Sequence, residues 1–336
     1  MTQRDRLRIE STVCDRHSLH AMVVLIALLC AGCDGGSGDQ DNAADGADTA
    51  VETDTGDTTT DTSNPQDGST HDASEDTGMD APSDSGEDAS TNDSTVPERF
   101  DFCQSEATGE THAASPENYR AKLGAMSPGD VLRLAPGTYD RGLPIRDKNG
   151  SEDNCFVIEG PRAGEPAVFT GSSSRNTVSI VDSSYVVVRD IELDGLGEVG
   201  DAVKAEGTAE YAHHIVLEGL RIYNHAPGQQ IVGISTKCPA WRWVIRGNHI
   251  DTAGTGLYLG NSDGNDPFVD GLIEYNVVLD TLGYNMQVKH QNPRPDVDGM
   301  PDAGETIIRH NVFSKANGAN ADSPRPNLLV GHFPTS

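Results

Sequence analysis

Short apolar runs recur through the second half of the chain, and Gly, Asn or Asp interrupts each one after a few residues. Five runs share one phrase: VVVRDIEL, IVLEGLRI, WVIRGNHI, GLIEYNVV and TIIRHNVF. Aligned at their turn residues, they place Asp190, Gly219, Asn248, Asn276 and Asn311 at one position, separated by 29, 29, 28 and 35 residues. Short runs rich in Val and Ile predict strands rather than helices.

A second apolar run follows each phrase: DAVKAEG, GISTK, GLYLGN, NMQVKH and NLLVGH. Because no run of helical length occurs within the repeat, the pattern predicts an all-β solenoid, a parallel β-helix with one coil per period. Successive coils would then stack about 4.8 Å apart. The turn asparagines would form a ladder between coils, or they are simply tolerant of turn dihedrals.

Alternation along the second run predicts which side chains face the core, since strand neighbours point to opposite faces. Two rows should point inward: Val203, Ile234, Leu257, Met286, Leu328 and Ala205, Thr236, Leu259, Val288, Val330. Two rows should point outward: Lys204, Ser235, Tyr258, Gln287, Leu329 and Glu206, Lys237, Gly260, Lys289, Gly331. Glycines on both sides of Lys289 should leave open space around its amine.

The stretch SPENYRAKLGAM predicts a short helix that covers the open end of the first coil, with Ser115 as N-cap, Pro116 at the first helical position and Gly124 as the stop. The last repeat runs into LLVGHFPTS without a comparable cap. We therefore expect residues 98–336 to form one β-helix domain that is truncated at its C-terminus.

Residues 1–33 have the pattern of a targeting segment, with four arginines ahead of an apolar run from Ala21 to Ala31. That run is too short to span a bilayer. Its end, Leu29-Cys30-Ala31-Gly32-Cys33, resembles a bacterial lipoprotein signal, which implies lipidation of Cys33 and a domain facing the periplasm or the cell exterior. The alternative is an ordinary secretory signal with an incidental Cys33.

Residues 34–97 contain 18 Asp or Glu, no Lys or Arg and no aromatic residue. Such a composition predicts a disordered acidic tether. Of the net charge of −29, the leader accounts for +1 and the tether for −18, which leaves −12 for residues 98–336. A domain of this charge is not expected to bind nucleic acid, which requires a basic face.

Three cysteines remain outside the leader: Cys103, Cys155 and Cys238. They allow at most one disulfide in an exported domain, and we predict Cys103 with Cys155 because both lie near the start of the fold. None of the spacings is that of a zinc site.

The segments SPGDVLRLAPGTY, CFVIEGPRAGEPAVFTG and SSYVVVRDIELDG resemble the opening coils of the right-handed β-helix superfamily that contains pectate lyases, nearest to the chondroitinase-B and alginate-lyase group. The resemblance covers about residues 126–197. It implies a right-handed β-helix and cleavage of acidic polysaccharide by β-elimination. In that group a strand lysine is the base, an arginine lies nearby, and acidic side chains hold calcium.

Lys289 lies at the position most similar to that base, although the acidic pair expected before it is replaced by Asn285 and Gln287. Elimination needs a base and cationic groups that neutralise the substrate carboxylate. The predicted catalytic residues are therefore Lys289, Arg294, Arg325 and His290, with Arg309 as a further cationic candidate. The predicted substrate-binding residues, which include an aromatic platform, are Tyr258, Gln287, Lys237, Asn261 and His332.

The loop DVDGMPD offers Asp296, Asp298 and Asp302 as calcium ligands, and NSDGND is similarly rich in oxygen donors. Neither loop contains a full twelve-residue calcium motif. Two functions follow from the sequence. One is a surface-tethered β-helix that binds and cleaves acidic polysaccharide, and the other is a non-catalytic lipoprotein for glycan binding or adhesion.

Overall fold

The computed structural model describes residues 5–10, 96–104, 107–289, 291, 294–317 and 325–331. Nearly all of its regular structure is β, in three sheets of parallel strands. The chain visits the sheets in turn and returns to each one about 28 residues later, beside the strand of the preceding coil. The predicted right-handed parallel β-helix is confirmed.

The strands are numbered in chain order. Sheet 1 contains β1 (Asp5–Glu10), β2 (Thr111–Ala114), β3 (Val131–Leu134), β6 (Phe156–Glu159), β9 (Ser183–Arg189), β12 (Ala212–Glu218), β15 (Ala240–Trp241), β16 (Val244–Arg246), β19 (Phe268–Val269), β20 (Leu272–Glu274) and β23 (Gly304–Arg309). Sheet 2 contains β4 (Gly137–Tyr139), β7 (Ala167–Thr170), β10 (Glu192–Asp194), β13 (Arg221–His225), β17 (His249–Ala253), β21 (Val277–Leu279) and β24 (Val312–Ser314). Sheet 3 contains β5 (Leu143–Arg146), β8 (Val178–Val181), β11 (Val203–Ala205), β14 (Val232–Thr236), β18 (Thr255–Leu259), β22 (Met286–Val288) and β25 (Leu328–Val330).

The strand register confirms the predicted inward rows of sheet 3. Val203 pairs with Ile234, Ile234 with Leu257, and Leu257 with Met286, and all four side chains are fully buried. Stacked Val, Ile and Leu from the three sheets form one continuous core along the solenoid. Burial of these side chains is the main stabilising term of the fold, at about 25 cal/mol per Å² of apolar surface.

One column of side chains on the outer face of sheet 1 is also buried. The middle apolar residue of each phrase points outward: Val187, Val216, Val244, Leu272 and Ile307. Phe100 and Phe102 cover this column. The predicted disulfide between Cys103 and Cys155 is present, with a Cα–Cα distance of 5.5 Å, and it ties this N-terminal segment to the sheet. Burial on both faces explains why three of these phrases begin with three apolar residues in succession and the other two contain at least two.

The asparagine ladder is confirmed, but the predicted alignment is wrong by one residue in its first two coils. Asn248 Nδ2 donates to Asn276 Oδ1, and Asn276 Nδ2 donates to Asn311 Oδ1, each at 2.9 Å. The strand register aligns Asp190 and Gly219 with the residue before each asparagine. That position has positive φ in every coil, at Asp190, Gly219, Gly247, Tyr275 and His310. The shared turn residue is therefore a left-handed backbone position.

The capping helix is present but begins later than predicted. Helix α1 spans Tyr119–Ala125 with Asn118 as N-cap, so Ser115 and Pro116 lie in the preceding turn and the helix continues past Gly124. Ser115 is bonded to Asn118, because its backbone N–H donates to Asn118 Oδ1 at 2.9 Å. Tyr119 and Leu123 are buried, and Tyr119 contacts the rings of Tyr139 and Phe169 in the first coils.

A ladder of alternating charges follows the outer face of sheet 1. Successive coils place opposite charges in register: Arg133, Glu159, Arg189, Glu218, Arg246, Glu274 and Arg309. Glu274 binds Arg246 and Arg309, both at 2.7 Å, although Glu274 and Arg309 are almost fully buried. Glu159 binds Arg133 and Arg189 in the same way. We name these seven residues the charge ladder.

Strand β1 lies within the predicted leader and was not predicted. Its backbone runs parallel to β23, with Asp5 opposite Gly304 and Glu10 opposite Arg309. Within the described residues, no helix has both the length and the apolar character that a bilayer span requires. Cys33 and residues 34–95 of the predicted tether lie outside the described residues, so the leader, lipidation and tether remain predictions.

Candidate functional site

The outer face of sheet 3 collects cationic side chains from successive coils. The register confirms the first predicted outward row, because Lys204 pairs with Ser235, Ser235 with Tyr258, and Tyr258 with Gln287. Lys237 and Lys289 follow the ends of β14 and β22, on the coils before and after Tyr258. We name Lys204, Lys237, Tyr258 and Lys289 the lysine face.

Tyr258 brings two of these lysines together. The Lys237 ammonium lies 3.5 Å from the centroid of the Tyr258 ring, and the Lys289 ammonium lies 5.5 Å from it. Both contacts are within the range of cation–π attraction. Tyr258 was predicted from sequence as the aromatic platform of a substrate-binding site, and in the structure lysines from both neighbouring coils lie against its ring.

Lys237 has a lowered affinity for protons. Burial is the largest effect, and it lowers the pKa of Lys237 to about 8. The Asp201 carboxylate raises this pKa, whereas the positive charges of Lys204 and Lys289 lower it. A lysine with such a pKa has an appreciable neutral fraction near pH 8, whereas an ordinary lysine is almost entirely protonated there. Lys237 can therefore act as a base under mild conditions.

Two carboxylates border the lysine face at its N-terminal side. Asp201 is buried, and it accepts bonds from the Val232 N–H at 2.8 Å and the Ser235 hydroxyl at 3.0 Å. Burial raises the pKa of Asp201. Glu206 lies 3.9 Å from Lys204 and accepts a bond from the Ser179 hydroxyl at 2.7 Å. Positive charge is thus partly balanced at Lys204.

The positive charges of the other two lysines of this face are not balanced by a described carboxylate in the same way. Among the described residues, Lys237 and Lys289 have no carboxylate within ion-pair distance. Both side chains are partly exposed. A chain of acidic groups could therefore approach these ammonium groups from solvent.

The glycines beside Lys289 do not leave the open space that was predicted. Gly260 has φ +91°, and a Cβ there would lie 3.3 Å from the Lys289 Cβ. Gly331 likewise has φ +80°. These glycines permit the left-handed turn after the strand, and at Gly260 the lysine stem already occupies the adjacent space.

The predicted amide ligands are mostly engaged elsewhere. Gln287 stands in the outward row but is only 4% exposed, so it is not presented to solvent as predicted. Asn285, which was not a predicted ligand but stands in place of an expected acid, is buried, and its amide donates to the carbonyls of Val278 and Ser314 at 3.0 and 3.1 Å. Asn261 is bonded to Asp266 within its own turn. These side chains support the coil at their present positions.

The structure does not bring the predicted arginines to the lysine face. Arg294 donates to the carbonyl of Pro301 within its own loop. Arg325 lies over the Tyr284 ring, 5.9 Å from its centroid, and Tyr284 precedes β22 whereas Lys289 follows it. Arg309 belongs to the charge ladder. Lysines, not arginines, supply the positive charge of this face.

The residues around Lys289 do not fit a calcium ion. Asn285 and Gln287 stand where acidic ligands would be needed, and calcium prefers several oxygen ligands that include carboxylates. Among the described residues, no three His, Cys, Asp or Glu side chains converge as metal ligands would, so Asp296, Asp298 and Asp302 are not brought together. His290 and His332 lie outside the described residues.

Sequence reasoning placed Lys204 in the outward row without nominating it as a site residue, missed Asp201, and treated Lys237 as a substrate contact. Lys204 could have been found, because it heads the predicted outward row. The role of Asp201 depends on a bond to Ser235 in the next coil, 34 residues away, and no local pattern signals it.

No protein-family model and no curated protein sequence matches this chain. Solved structures with a similar fold include an alginate lyase from Paenibacillus sp. str. FPU-7, with 17% identity over 62% of this chain and 77% of that one and a TM-score of 0.42. A mannuronic acid specific polysaccharide family 6 lyase from human gut microbiota has 14% identity over 63% and 61% of the two chains, with a TM-score of 0.32. The pectate lyase Pel9A has 15% identity over 66% and 81%, with a TM-score of 0.27.

Proposed function

We propose that this chain is an exported, lipid-anchored β-helix protein whose lysine face binds an acidic polysaccharide and cleaves it by β-elimination. The observation that carries the proposal is the convergence of Lys237 and Lys289 on the Tyr258 ring, with Lys204 in the same outward row as Tyr258 and a pKa of about 8 at Lys237. Export and lipidation at Cys33 are inferred from the leader sequence alone.

Charge supports an anionic substrate. Residues 98–336 carry a net charge of −12, so a cluster of three ammonium groups is a local exception in an acidic domain. A uronate chain repeats one carboxylate on each acidic sugar, and several carboxylates could therefore contact the lysine face at once. Such binding should weaken as salt screens the charges.

The reaction requires removal of the proton on the carbon next to the uronate carboxylate. We assign this step to the neutral Lys237 amine. The electron pair of the broken C–H bond forms a double bond to the neighbouring carbon, and the C–O bond at that carbon breaks. The departing glycosidic oxygen takes a proton from water. The products are an unsaturated uronate and a new sugar hydroxyl.

Lys289 and Lys204 are assigned to the substrate carboxylate, whose negative charge grows as the proton leaves. Fixed cations close to a developing anion stabilise the transition state more than the ground state. Lys289 was the base predicted from sequence, and the lowered pKa of Lys237 supports exchanging the two roles.

The test is an ultraviolet assay for unsaturated products from alginate, pectate and glycosaminoglycans. Lys237→Met should lower kcat by about 10²–10⁴-fold, the usual contribution of a general base. Lys289→Met should raise KM and lower kcat. Lys122→Met, on the exposed surface of α1, is the matched control and should change neither. Absence of product from every substrate with the wild-type chain sinks the lyase assignment.

The second candidate is a glycan-binding or adhesion protein without catalysis. The 3.5 Å contact between Lys237 and the Tyr258 ring favours it, because a charged ammonium gains most from this contact. This function requires binding of the same polysaccharides without turnover. Binding should then be weakened by Tyr258→Ala and unaffected by Lys289→Ala.

A further inference from the structure

Lys237 and Lys289 form a pair of neighbouring amines that solvent can reach. The Lys237 ammonium lies 3.5 Å from the centroid of the Tyr258 ring, and the Lys289 ammonium lies 5.5 Å from the same centroid. Both side chains are partly exposed. Two positive charges held close together favour the loss of a proton from one of them, which leaves a neutral amine beside an ammonium. A neutral lysine amine is a nucleophile, and a cationic neighbour is one of the features that activate it.

Lys237 differs from two other partly buried lysines in what its amine contacts. Burial lowers the pKa of Lys148 and Lys315 as well as that of Lys237. The amine of Lys148 donates to a backbone carbonyl at 3.3 Å, and that of Lys315 donates to one at 2.7 Å. Within the part of the chain that the structure describes, the Lys237 amine forms no such bond and lies against the Tyr258 ring. Of these three amines, that of Lys237 is the one open to attack on a carbonyl compound.

The second amine of the pair indicates which carbonyl compounds would bind. Among the described residues, no carboxylate lies within ion-pair distance of Lys289. An ammonium in this state can bind the carboxylate of a ligand through a charge-assisted hydrogen bond. A 2-oxo carboxylate carries its ketone and its carboxylate on neighbouring carbon atoms. One such molecule can therefore meet the Lys237 amine with its ketone and the Lys289 ammonium with its carboxylate.

We propose that Lys237 forms an imine with 2-oxo carboxylates and that Lys289 binds the carboxylate of the same molecule. The lone pair of the Lys237 Nζ forms a bond to the ketone carbon, and the π pair of the C=O bond moves to the oxygen. That oxygen leaves as water with the two protons of the amine, so a C=N bond forms without an oxidant or reductant. The imine nitrogen then takes up a proton from solvent. The resulting cation remains beside the Tyr258 ring, where cation–π attraction stabilises it.

The experiment is reductive trapping on the full chain. Pyruvate, a 2-oxo carboxylate, is added at about pH 8 with sodium cyanoborohydride, which reduces an imine to a stable secondary amine. Peptide mass spectrometry then locates the adduct. Lys237 should be labelled at least about tenfold faster than Lys122, an exposed lysine of α1, because its lowered pKa leaves more of the amine neutral. Lys148 and Lys315 should also be labelled slowly, because their amines are bonded to backbone carbonyls.

Methyl pyruvate tests the role of Lys289, because it carries the same ketone beside an uncharged ester. Pyruvate should label Lys237 at least about tenfold faster than methyl pyruvate does, since a hydrogen bond between charged groups contributes about this much. Lys289→Met should remove that preference. Lys237→Arg keeps the positive charge at this position and should remove the fast adduct altogether.

Two results overturn the proposal. One is equal labelling of Lys237 and Lys122 in the wild-type chain, which needs no variant to fold. The other is equal labelling of Lys237 by pyruvate and methyl pyruvate. The inference does not rest on polysaccharide cleavage, because imine formation involves no glycosidic bond. Trapping without any unsaturated product supports this inference alone, and unsaturated product without trapping overturns it while the lyase proposal stands.

Discussion

Sheets 1 and 3 differ in whether the charged side chains on their outer faces have ion-pair partners. On sheet 1, Arg and Glu alternate from coil to coil, and the buried Glu274 binds the partly exposed Arg246 and the buried Arg309 at 2.7 Å each. On sheet 3, Lys237 and Lys289 converge on one tyrosine, and no described carboxylate forms an ion pair with either. The charges on sheet 1 are paired within the scaffold, whereas Lys237 and Lys289 have no carboxylate partner among the described residues.

The largest effect is expected on sheet 1. Glu274→Gln leaves the guanidinium groups of Arg246 and Arg309 without their shared carboxylate, and loss of one partner from a buried ion pair costs about 3–5 kcal/mol. Urea denaturation should show this loss in the free energy of unfolding. The matched control is Glu192→Gln, whose partner Arg221 is 60% exposed, and it should cost less than about 1 kcal/mol. Equal costs for the two variants contradict a structural role for the ladder.

A smaller effect of opposite sign is expected on sheet 3. Lys237→Met removes a partly buried positive charge and should raise the free energy of unfolding at pH 7 by about 1 kcal/mol. Because the folded pKa lies near 8 and the unfolded pKa near 10.5, the unfolded state binds more protons between these values. Wild-type stability therefore rises with pH across that window.

The advantage of Lys237→Met should be complete below pH 8 and vanish by about pH 10.5. Denaturation of both chains at several pH values measures it. A difference between the chains that does not depend on pH would show that Lys237 is an ordinary surface lysine.

The contact between Lys237 and Tyr258 should be measurable as a shift in titration. Tyr258→Leu removes the ring that stabilises the ammonium, a contact worth about 1 kcal/mol, and should lower the pKa of Lys237 further. Tyr258→Phe keeps the ring and serves as the control, because it should leave the pKa unchanged. A higher pKa in Tyr258→Leu contradicts a stabilising contact.

The smallest effect is expected when a chelator removes divalent metal from the lyase assay. If lysines neutralise the substrate carboxylate, removing divalent metal with a chelator should leave product formation unchanged. Recovery of lost activity by calcium would show that a metal contributes to the site. Product formation with and without chelator, followed in the same ultraviolet assay, decides between the two.

The repeat made the fold predictable from sequence. Strand alternation placed Val203, Ile234, Leu257 and Met286 in one inward row, and the register confirms it. Positive φ at Asp190 and Gly219 was not visible in the pattern, which explains the alignment error of one residue. The charge ladder was present in the five phrases, but these were interpreted for their apolar positions alone.

The site was less predictable because its properties depend on interactions between side chains of different coils. The pKa of Lys237 depends on its burial, on Asp201 and Lys204 from the preceding coil, and on Lys289 from two coils later. The burial of Gln287 and the bond between Arg294 and Pro301 likewise depend on tertiary packing and on a loop without periodicity. Outward strand position alone does not distinguish a ligand contact from a covered side chain.

The central claim is that the lysine face holds one amine with a strongly lowered pKa. Titration of the full chain with 13C-labelled lysine, followed by nuclear magnetic resonance, measures it directly, and Lys237→Met assigns the signal. The account predicts that Lys237 titrates at about 8, well below the other lysines. Titration of Lys237 near 10.5, the ordinary value, would contradict both the electrostatic account and the assignment of Lys237 as base.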